Sequence, residues 1–282
     1  MSNTTESPNP FTPLAFLPPA VADQFEVLRY LHAATLGAYI WDIGLNLGND
    51  YALLFKHRVR FPTILYFLAR ASTLAYIFTS FVYEVTSVED CNALGIALGI
   101  CFVLSQTTTA ILFFLRVTAV WYQSKIAYAV FFILCLAILA GGITVPMGVR
   151  GGHIGPTEQC IATVVPANVD VAAIVPLIND TAVFLAINYR ILVHNIVVDS
   201  SMGRLQAFFS GKGLSTLSRA LLQSGQHFYL IAVLTHILVL VLLKLPHLSP
   251  VYHTMLTLPG FALINAMACL VFRRIKLRTH QF

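Results

Sequence analysis

The sequence predicts an all-α fold, an integral membrane bundle of seven transmembrane helices with the N-terminus outside and the C-terminus cytoplasmic. Three observations support this prediction. Of the 282 residues, 57% are hydrophobic and only 10% are charged, whereas an average soluble domain carries about 25% charged residues. The mean hydropathy is +0.78. A helix needs roughly 20 mostly apolar residues to cross a bilayer, and the chain contains seven stretches of this kind.

The apolar stretches divide the chain into a Pro-rich extracellular or lumenal tail (1–27), a helical domain (28–272) and a short basic cytoplasmic tail (273–282). None of the stretches has the wide polar face of a water-exposed helix, so a soluble bundle is excluded. The predicted spans are Leu28–Phe55, Pro62–Tyr83, Asn92–Tyr122, Ile126–Met147, Val169–Val193, Leu217–Leu243 and Val251–Phe272.

The positions of Lys and Arg predict the orientation, because these residues concentrate in cytoplasmic loops. With the N-terminus outside, the cytoplasmic segments hold 13 of the 17 Lys and Arg residues. They are Lys56, Arg58, Arg60, Arg116, Lys125, Arg190, Arg204, Lys212, Arg219, Arg273, Arg274, Lys276 and Arg278. This bias explains the net charge of +5. The basic cytoplasmic loops are also expected to be attracted to the anionic lipids of the inner leaflet. A nucleic-acid partner is not expected, since no soluble basic domain is present. We expect the protein to lie in the lipid bilayer of the plasma membrane or of a secretory-pathway membrane.

The outer side of the predicted bundle carries two modification signals. Asn3-Thr4-Thr5 is a glycosylation acceptor motif. Cys91 begins span three and Cys160 lies in the long outer loop, so both face an oxidising compartment and a Cys91–Cys160 disulfide is predicted. Two free thiols are the alternative. The remaining cysteines, Cys101, Cys135 and Cys269, lie within spans and are interpreted as small buried residues.

Charged side chains within the first two spans need a reason, because charges in hydrocarbon are costly. Asp42, Asn46 and Asp50 share one face of span one at i, i+4 and i+8. At 1.5 Å per residue, Asp50 and Arg70 lie roughly 8 and 12 Å above the inner boundary, and Asp42 roughly 20 Å. Arg70 is therefore expected to pair with Asp50, with Asp42 as second choice. The pair either holds the two spans in register or has an ion-binding or switching role.

Further polar residues lie in spans three and five to seven. Asp180 is near the middle of span five with no Arg or Lys at its depth, which packing alone does not explain. Gln106, His227 and Asn265 could line one polar cavity with Asp180, although interhelical hydrogen bonds are the alternative role for each of them. Gly44-x3-Gly48 and Gly95-x3-Gly99 predict close helix packing, within the bundle rather than between chains.

Several motifs resemble the signature of a large family of fungal, mainly basidiomycete, seven-span membrane proteins whose function is undefined. They are Trp41-Asp42 followed eight residues later by Asp50, Phe67-Leu68-Ala69-Arg70, Leu115-Arg116-Val117 with Ala119-Val120-Trp121, and Asn179-Asp180-Thr181. The resemblance spans most of the chain and implies a seven-span topology but no activity. The family often has Glu where Asp50 stands, so the side chain here is shorter.

A receptor or sensor is the first functional hypothesis. The topology, the predicted disulfide and Arg116 at the cytoplasmic end of span three look similar to G-protein-coupled receptors, which implies a small-molecule ligand and a cytoplasmic signalling partner. Three receptor motifs are missing: Arg116 follows Leu115 rather than an acid, span six has no Trp-x-Pro, and span seven has no Asn-Pro-x-x-Tyr.

An ion- or proton-coupled transporter and a membrane scaffold or accessory protein are the alternatives. Asp180 would suit ion coupling, although the halves of the chain show no repeat. No catalytic motif is recognised and no metal site is expected, since neither His-x3-His nor His-Glu-x2-His spacing occurs. No cofactor is expected either; a retinal protein is excluded because Val251–Phe272 contains no Lys.

Overall fold

A computed structural model describes residues 13–56, 59–122, 124–164, 170–196, 227–245 and 250–278. Within these ranges the chain forms eight α-helices and one two-stranded sheet. A 3-10 turn (Pro13–Phe16) precedes the first helix, and a π-helical turn (Ala52–Lys56) extends it. The helices are α1 (Pro19–Tyr51), α2 (Phe61–Val85), α3 (Cys91–Val120), α4 (Lys125–Gly148), α5 (Val171–Ile196), α6 (His227–Lys244), α7 (Pro250–Met255) and α8 (Thr257–Arg278).

Five of these helices are long and apolar enough to cross a membrane, which confirms that the chain is a membrane protein of mainly helical fold. They are contained in α2, α3, α4, α5 and the α7–α8 segment. The other two predicted spans correspond to α1 and α6. α1 has 33 residues but contains five charged side chains, and the apolar part of α6 described by the structure has fewer than 18 residues. The beginning of predicted span six, from Leu217, lies outside the described residues.

Helix starts follow local signals. α1 begins nine residues before the predicted span, because Pro19 at its first position supplies the backbone angle that a helix start requires. The Asp90 carboxylate accepts hydrogen bonds from the backbone N–H groups of Asn92 and Ala93 and so caps α3. Pro259 lacks an N–H to donate to the carbonyl four residues earlier, and the last predicted span is accordingly divided between α7 and α8.

The helices form a closed ring in which successive helices contact one another and α8 returns to α1. α3 lies at the centre of the bundle and contacts α2, α4, α5 and α8. Gly99 determines how closely α3 approaches α4. A Cβ atom on Gly99 would lie 2.8 Å from Pro146 Cβ, so α3 and α4 approach closely only because this residue is Gly. The prediction for the other motif was wrong: no described atom beyond α1 itself lies within 4 Å of a Cβ built on Gly44 or Gly48.

A β-hairpin, which the sequence reasoning missed, covers the end of the bundle where α2 ends and α3 begins. Strands β1 (Arg150–His153) and β2 (Cys160–Val164) pair antiparallel. Gly155 in the connecting loop has a φ of 57°, a conformation that favours Gly. The predicted disulfide between Cys91 and Cys160 is present and fastens the hairpin to the first residue of α3. We call this end of the bundle the hairpin end.

Two further contacts fix α1 at the hairpin end. Arg29 donates a hydrogen bond of 2.5 Å to the side chain of Gln159 in the hairpin. Nδ1 of His32 lies 2.7 Å from a carboxylate oxygen of Glu84, near the end of α2. Polar contacts therefore join α1 to the hairpin and to α2, while the disulfide joins the hairpin to α3.

Candidate functional site

Arg70 lies between the two acidic residues of α1, and the structure brings both of them to it. Its guanidinium group is 2.5 Å from an Asp50 oxygen and 2.9 Å from an Asp42 oxygen. The Arg70 side chain is only 6% exposed, against 11% for Asp50 and 32% for Asp42. Asn46 donates to the Asp42 carboxylate at 3.1 Å. α1 and α2 thus share a buried charge cluster in which every ionised group has an opposite partner.

Tyr66 and Arg273 complete this charge cluster, and sequence reasoning missed both. The Tyr66 hydroxyl donates to Asp50 at 2.6 Å and accepts from Arg70 at 2.8 Å and from Arg273 at 3.1 Å. Arg273 was assigned to the basic tail, but α8 continues to Arg278 and Arg273 is buried. Two arginines therefore balance two aspartates. The i, i+4 spacing of Tyr66 and Arg70 was the available signal.

Asn265 connects the charge cluster with the centre of the bundle. It accepts a hydrogen bond of 2.7 Å from the hydroxyl of Tyr39 on α1 and donates one of 2.8 Å to the hydroxyl of Thr109 on α3. Tyr39 also lies 3.4 Å from the backbone oxygen of Arg70. Asn265 is 1% exposed, so these bonds form in a region where water does not compete. Helices α1, α2, α3 and α8 are joined by one hydrogen-bonded chain.

Asp180 lies in a second polar group, on α3, α5 and α6. Its carboxylate is 3.1 Å from Nδ1 of His236. It also accepts a 3.0 Å hydrogen bond from Asn179. Gln106, Thr109, Asp180 and His236 border a cavity of about 10 Å³, which is about the space one water molecule needs. Asp180 was expected to have no Arg or Lys at its depth, and among the described residues its neighbour on the next helix is His236, which α6 places opposite α5.

The predicted polar residues that the structure describes lie in two groups. Asp42, Asn46, Asp50 and Arg70 belong to the charge cluster, whereas Gln106 and Asp180 belong to the second group. The bridge between them is Asn265, which bonds Thr109 at the edge of the small cavity.

Among the described residues, the predicted residue Arg116 stands apart from these groups. Arg116 lies one turn before the end of α3, with its guanidinium carbon 4.7 Å from the ring centre of Tyr229. This is a cation–π contact across α3 and α6. The side chain of His227 and the glycosylation motif at Asn3 lie outside the described residues.

A larger cavity of about 190 Å³ occupies the hairpin half of the bundle. It lies among α2 to α8 and is bordered by Ala162 of the hairpin. Its wall is almost entirely aliphatic and aromatic, and no Asp, Glu, Lys, Arg or His is among the described residues that line it. Sequence reasoning expected a polar cavity and did not anticipate this one. The site can hold a small apolar molecule.

An aromatic layer forms the floor of the apolar cavity. The rings of Tyr76, Phe102 and Phe261 are in mutual contact, with centroids 5.2 to 6.5 Å apart. His236 lies against Phe261 on the other side, with ring centroids 5.9 Å apart. The ring of Phe261 therefore separates the apolar cavity from the second polar group, which contains Asp180 and His236.

No protein-family model matches the chain, and a search of curated proteins finds no significant match. Among the described residues, no group of three or more His, Cys, Asp or Glu side chains could hold a metal ion. The function is therefore inferred from the two cavities and the polar groups between the helices.

Proposed function

We propose that this chain is a receptor or sensor with seven spans, whose N-terminus is outside and whose C-terminus is cytoplasmic. A small ligand binds in the apolar cavity, and the polar groups beneath it transmit the occupied state to the cytoplasmic end. The observation that carries the proposal is that the apolar cavity lies in one half of the bundle only.

Dense packing on the other side of the cavity favours a receptor over a transporter. Towards the opposite end the core is filled by side chains with no exposed surface, among them Leu53, Tyr66, Val117 and Val183. A transporter needs a site that opens alternately to both sides. A one-sided cavity instead suits a ligand that binds and leaves by the same side.

The charges at the two ends support the proposed orientation. Lys56, Arg60 and Lys125 lie at the ends of helices opposite the hairpin, and Arg190 lies in the last two turns of α5 at the same side. Such an excess of basic residues is typical of cytoplasmic loops. The disulfide at the hairpin end would then face an oxidising compartment, where disulfides persist. α1 and α6 supply the remaining two spans in this proposal.

An ion- or proton-coupled transporter remains the second candidate, and the Asp180–His236 pair favours it. Ionisable groups at this depth are typical of proton pathways. The two functions differ in what Asp180 does: in a transporter it carries the coupled ion, while in a receptor it joins helices whose arrangement responds to the ligand.

Topology is the first test, using a protease-protected C-terminal tag together with glycosylation at Asn3. We expect a glycosylated N-terminus and a cytosolic tag, and Thr5→Ala is the matched control that removes the acceptor motif. Termini on the same side of the membrane would overturn the seven-span proposal.

Ion flux is the second test, in liposomes that contain the purified chain and a trapped pH-sensitive dye. A receptor should show the same proton leak as empty liposomes. A flux that Asp180→Asn abolishes would overturn the receptor proposal in favour of the transporter.

A further inference from the structure

We propose that the apolar cavity is a binding site for an uncharged molecule slightly larger than benzene, carrying one alcohol or carbonyl group that bonds to the hydroxyl of Tyr76. This inference rests on the proposed receptor function for its biological meaning and names the ligand class of that site. Its volume, its lining and its unused hydroxyl groups each support it.

The volume sets the size of the ligand. An engineered cavity of about 150 Å³ in another protein binds benzene, and the present cavity is about 190 Å³. Pockets for drug-sized molecules measure about 300–1,000 Å³. A compact ring or a short branched chain fits within this volume, whereas a phospholipid, a sterol or a peptide would extend beyond it.

The lining sets the charge of the ligand. Because no ionisable acid or base lies among the described residues of the wall, a charged ligand would be buried without a partner, at a large cost in free energy. The hydrocarbon part of an uncharged ligand would instead contact side chains such as Phe102, Val239 and Leu243. Burial of this apolar surface is favourable in itself.

The hydroxyl groups of the wall set the polar part of the ligand. Thr254 and Thr257 donate to backbone carbonyls of their own helical segment. Tyr76 and Tyr83 also line the cavity, and neither phenol hydroxyl makes a hydrogen bond to any residue that the structure describes. Tyr76 is half-buried, and a phenol hydroxyl can both donate and accept a hydrogen bond. A ligand oxygen would supply a partner.

Tyr76 is the better placed of the two phenols for sensing the ligand. Its ring belongs to the aromatic layer with Phe102 and Phe261, and Phe261 lies against His236. A ligand that bonds to Tyr76 therefore contacts the layer above the Asp180–His236 pair. Tyr83 lies about two helical turns further along α2, nearer the hairpin, and also forms part of the cavity wall.

The binding test uses the full chain in lipid nanodiscs, with cyclooctanol and cyclooctane as probes. Equilibrium dialysis against empty nanodiscs removes the contribution of the lipid. We expect a saturable excess of cyclooctanol that corresponds to one molecule per chain. No excess over empty nanodiscs would overturn the proposal.

Cavity-filling variants locate the bound probe. Ala173→Leu places additional carbon atoms in the cavity, and we expect it to abolish the excess of both probes. Ala129→Leu is the matched control, since Ala129 is exposed on the outside of α4. Gly95→Ala is a milder filling variant that the fold tolerates, because the added Cβ would approach described atoms only to 3.8 Å. Unchanged binding in both filling variants would place the probe elsewhere and refute the site.

Tyr76→Phe tests the hydrogen bond without changing the shape of the wall. A single hydrogen bond changes affinity by about 2- to 10-fold, so cyclooctanol should bind more weakly by this factor. Cyclooctane has no hydroxyl and should bind the variant as it binds the wild type. Equal loss for both probes, or no loss for either, would contradict the role of Tyr76.

A fluorescent label separates this inference from the proposed function. Tyr122 is exposed just after the end of α3, and Tyr122→Cys carrying a polarity-sensitive dye reports movement at that end. We expect cyclooctanol to change its emission, and Ala173→Leu in the labelled chain to remove the change. Binding without a change in emission would leave the ligand site standing and refute the receptor function. Absence of binding in a chain with the expected topology would refute the ligand site alone.

Discussion

Replacing Arg70 by Met should strongly destabilise the bundle, because it leaves two carboxylates without their common partner. Arg70 lies within 2.9 Å of both Asp42 and Asp50. Breaking a buried ion pair by removing one partner costs about 3–5 kcal/mol. We expect the lower part of this range, since Tyr66 still donates to Asp50 and Asn46 to Asp42. A loss of about 3 kcal/mol lowers the folding equilibrium constant about 150-fold.

The assay is reversible unfolding in mixed micelles by increasing SDS, followed by circular dichroism. Arg60→Met is the matched control, because Arg60 is exposed at the start of α2, and it should change stability by less than about 0.5 kcal/mol. Combining Arg70→Met with Asp42→Asn and Asp50→Asn removes the unpaired charges and should recover most of the loss. A loss below about 1 kcal/mol for Arg70→Met, or a triple variant no more stable than the single one, would refute this reasoning.

Three further predictions use the same unfolding assay. Gly99→Ala should lose about 1–3 kcal/mol through overpacking against α4, while Gly44→Ala, which meets no described atom within 4 Å, should be at least as stable as the wild type because Ala favours a helix over Gly; equal effects would contradict the packing account. Cys160→Ser opens a bridge between residues 69 apart in sequence and should lose up to about 4 kcal/mol, and a reducing agent should then lower the stability of the wild type but not of the variant. His236→Phe removes the imidazole nitrogen that lies 3.1 Å from the buried Asp180 carboxylate and should destabilise more than Asp180→Asn does; the reverse order would show that the pair does not stabilise the fold.

The sequence predicted the helices closely. The predicted span Asn92–Tyr122 corresponds to the helix Cys91–Val120, and Pro62–Tyr83 to Phe61–Val85. A membrane helix satisfies its own backbone hydrogen bonds, so its position along the chain depends on local composition. The disulfide was predictable for a related reason, because chain direction places Cys91 and Cys160 on the same side of the bundle.

Within the candidate site, the spacing of residues in the sequence predicted how deep each side chain lies in the membrane and which face of its helix it occupies. It did not predict which residue on another helix that side chain contacts. Asp50 and Arg70 could be matched because they lie on consecutive helices joined by a short loop. Asp180 and His236 lie on α5 and α6, which are separated by a long connection, so their relative heights could not be derived from the sequence and His236 was not predicted as the neighbour of Asp180. Arg273 was assigned to a tail because nothing in its own segment reveals that Tyr66 receives it.

The sequence by itself determined that this protein is a membrane-embedded helical bundle, since hydrophobic length, cap residues and cysteine placement are local properties. Only the tertiary structure decided where the cavities lie and which glycine faces a neighbour. Gly99 and Gly44 belong to two separate motifs of the same Gly-x3-Gly type, yet only Gly99 is needed for close helix packing. A cavity is the space left by side chains from several helices at once, so its volume and lining depend on their rotation and tilt. These are set by packing across the whole bundle and not by any one segment.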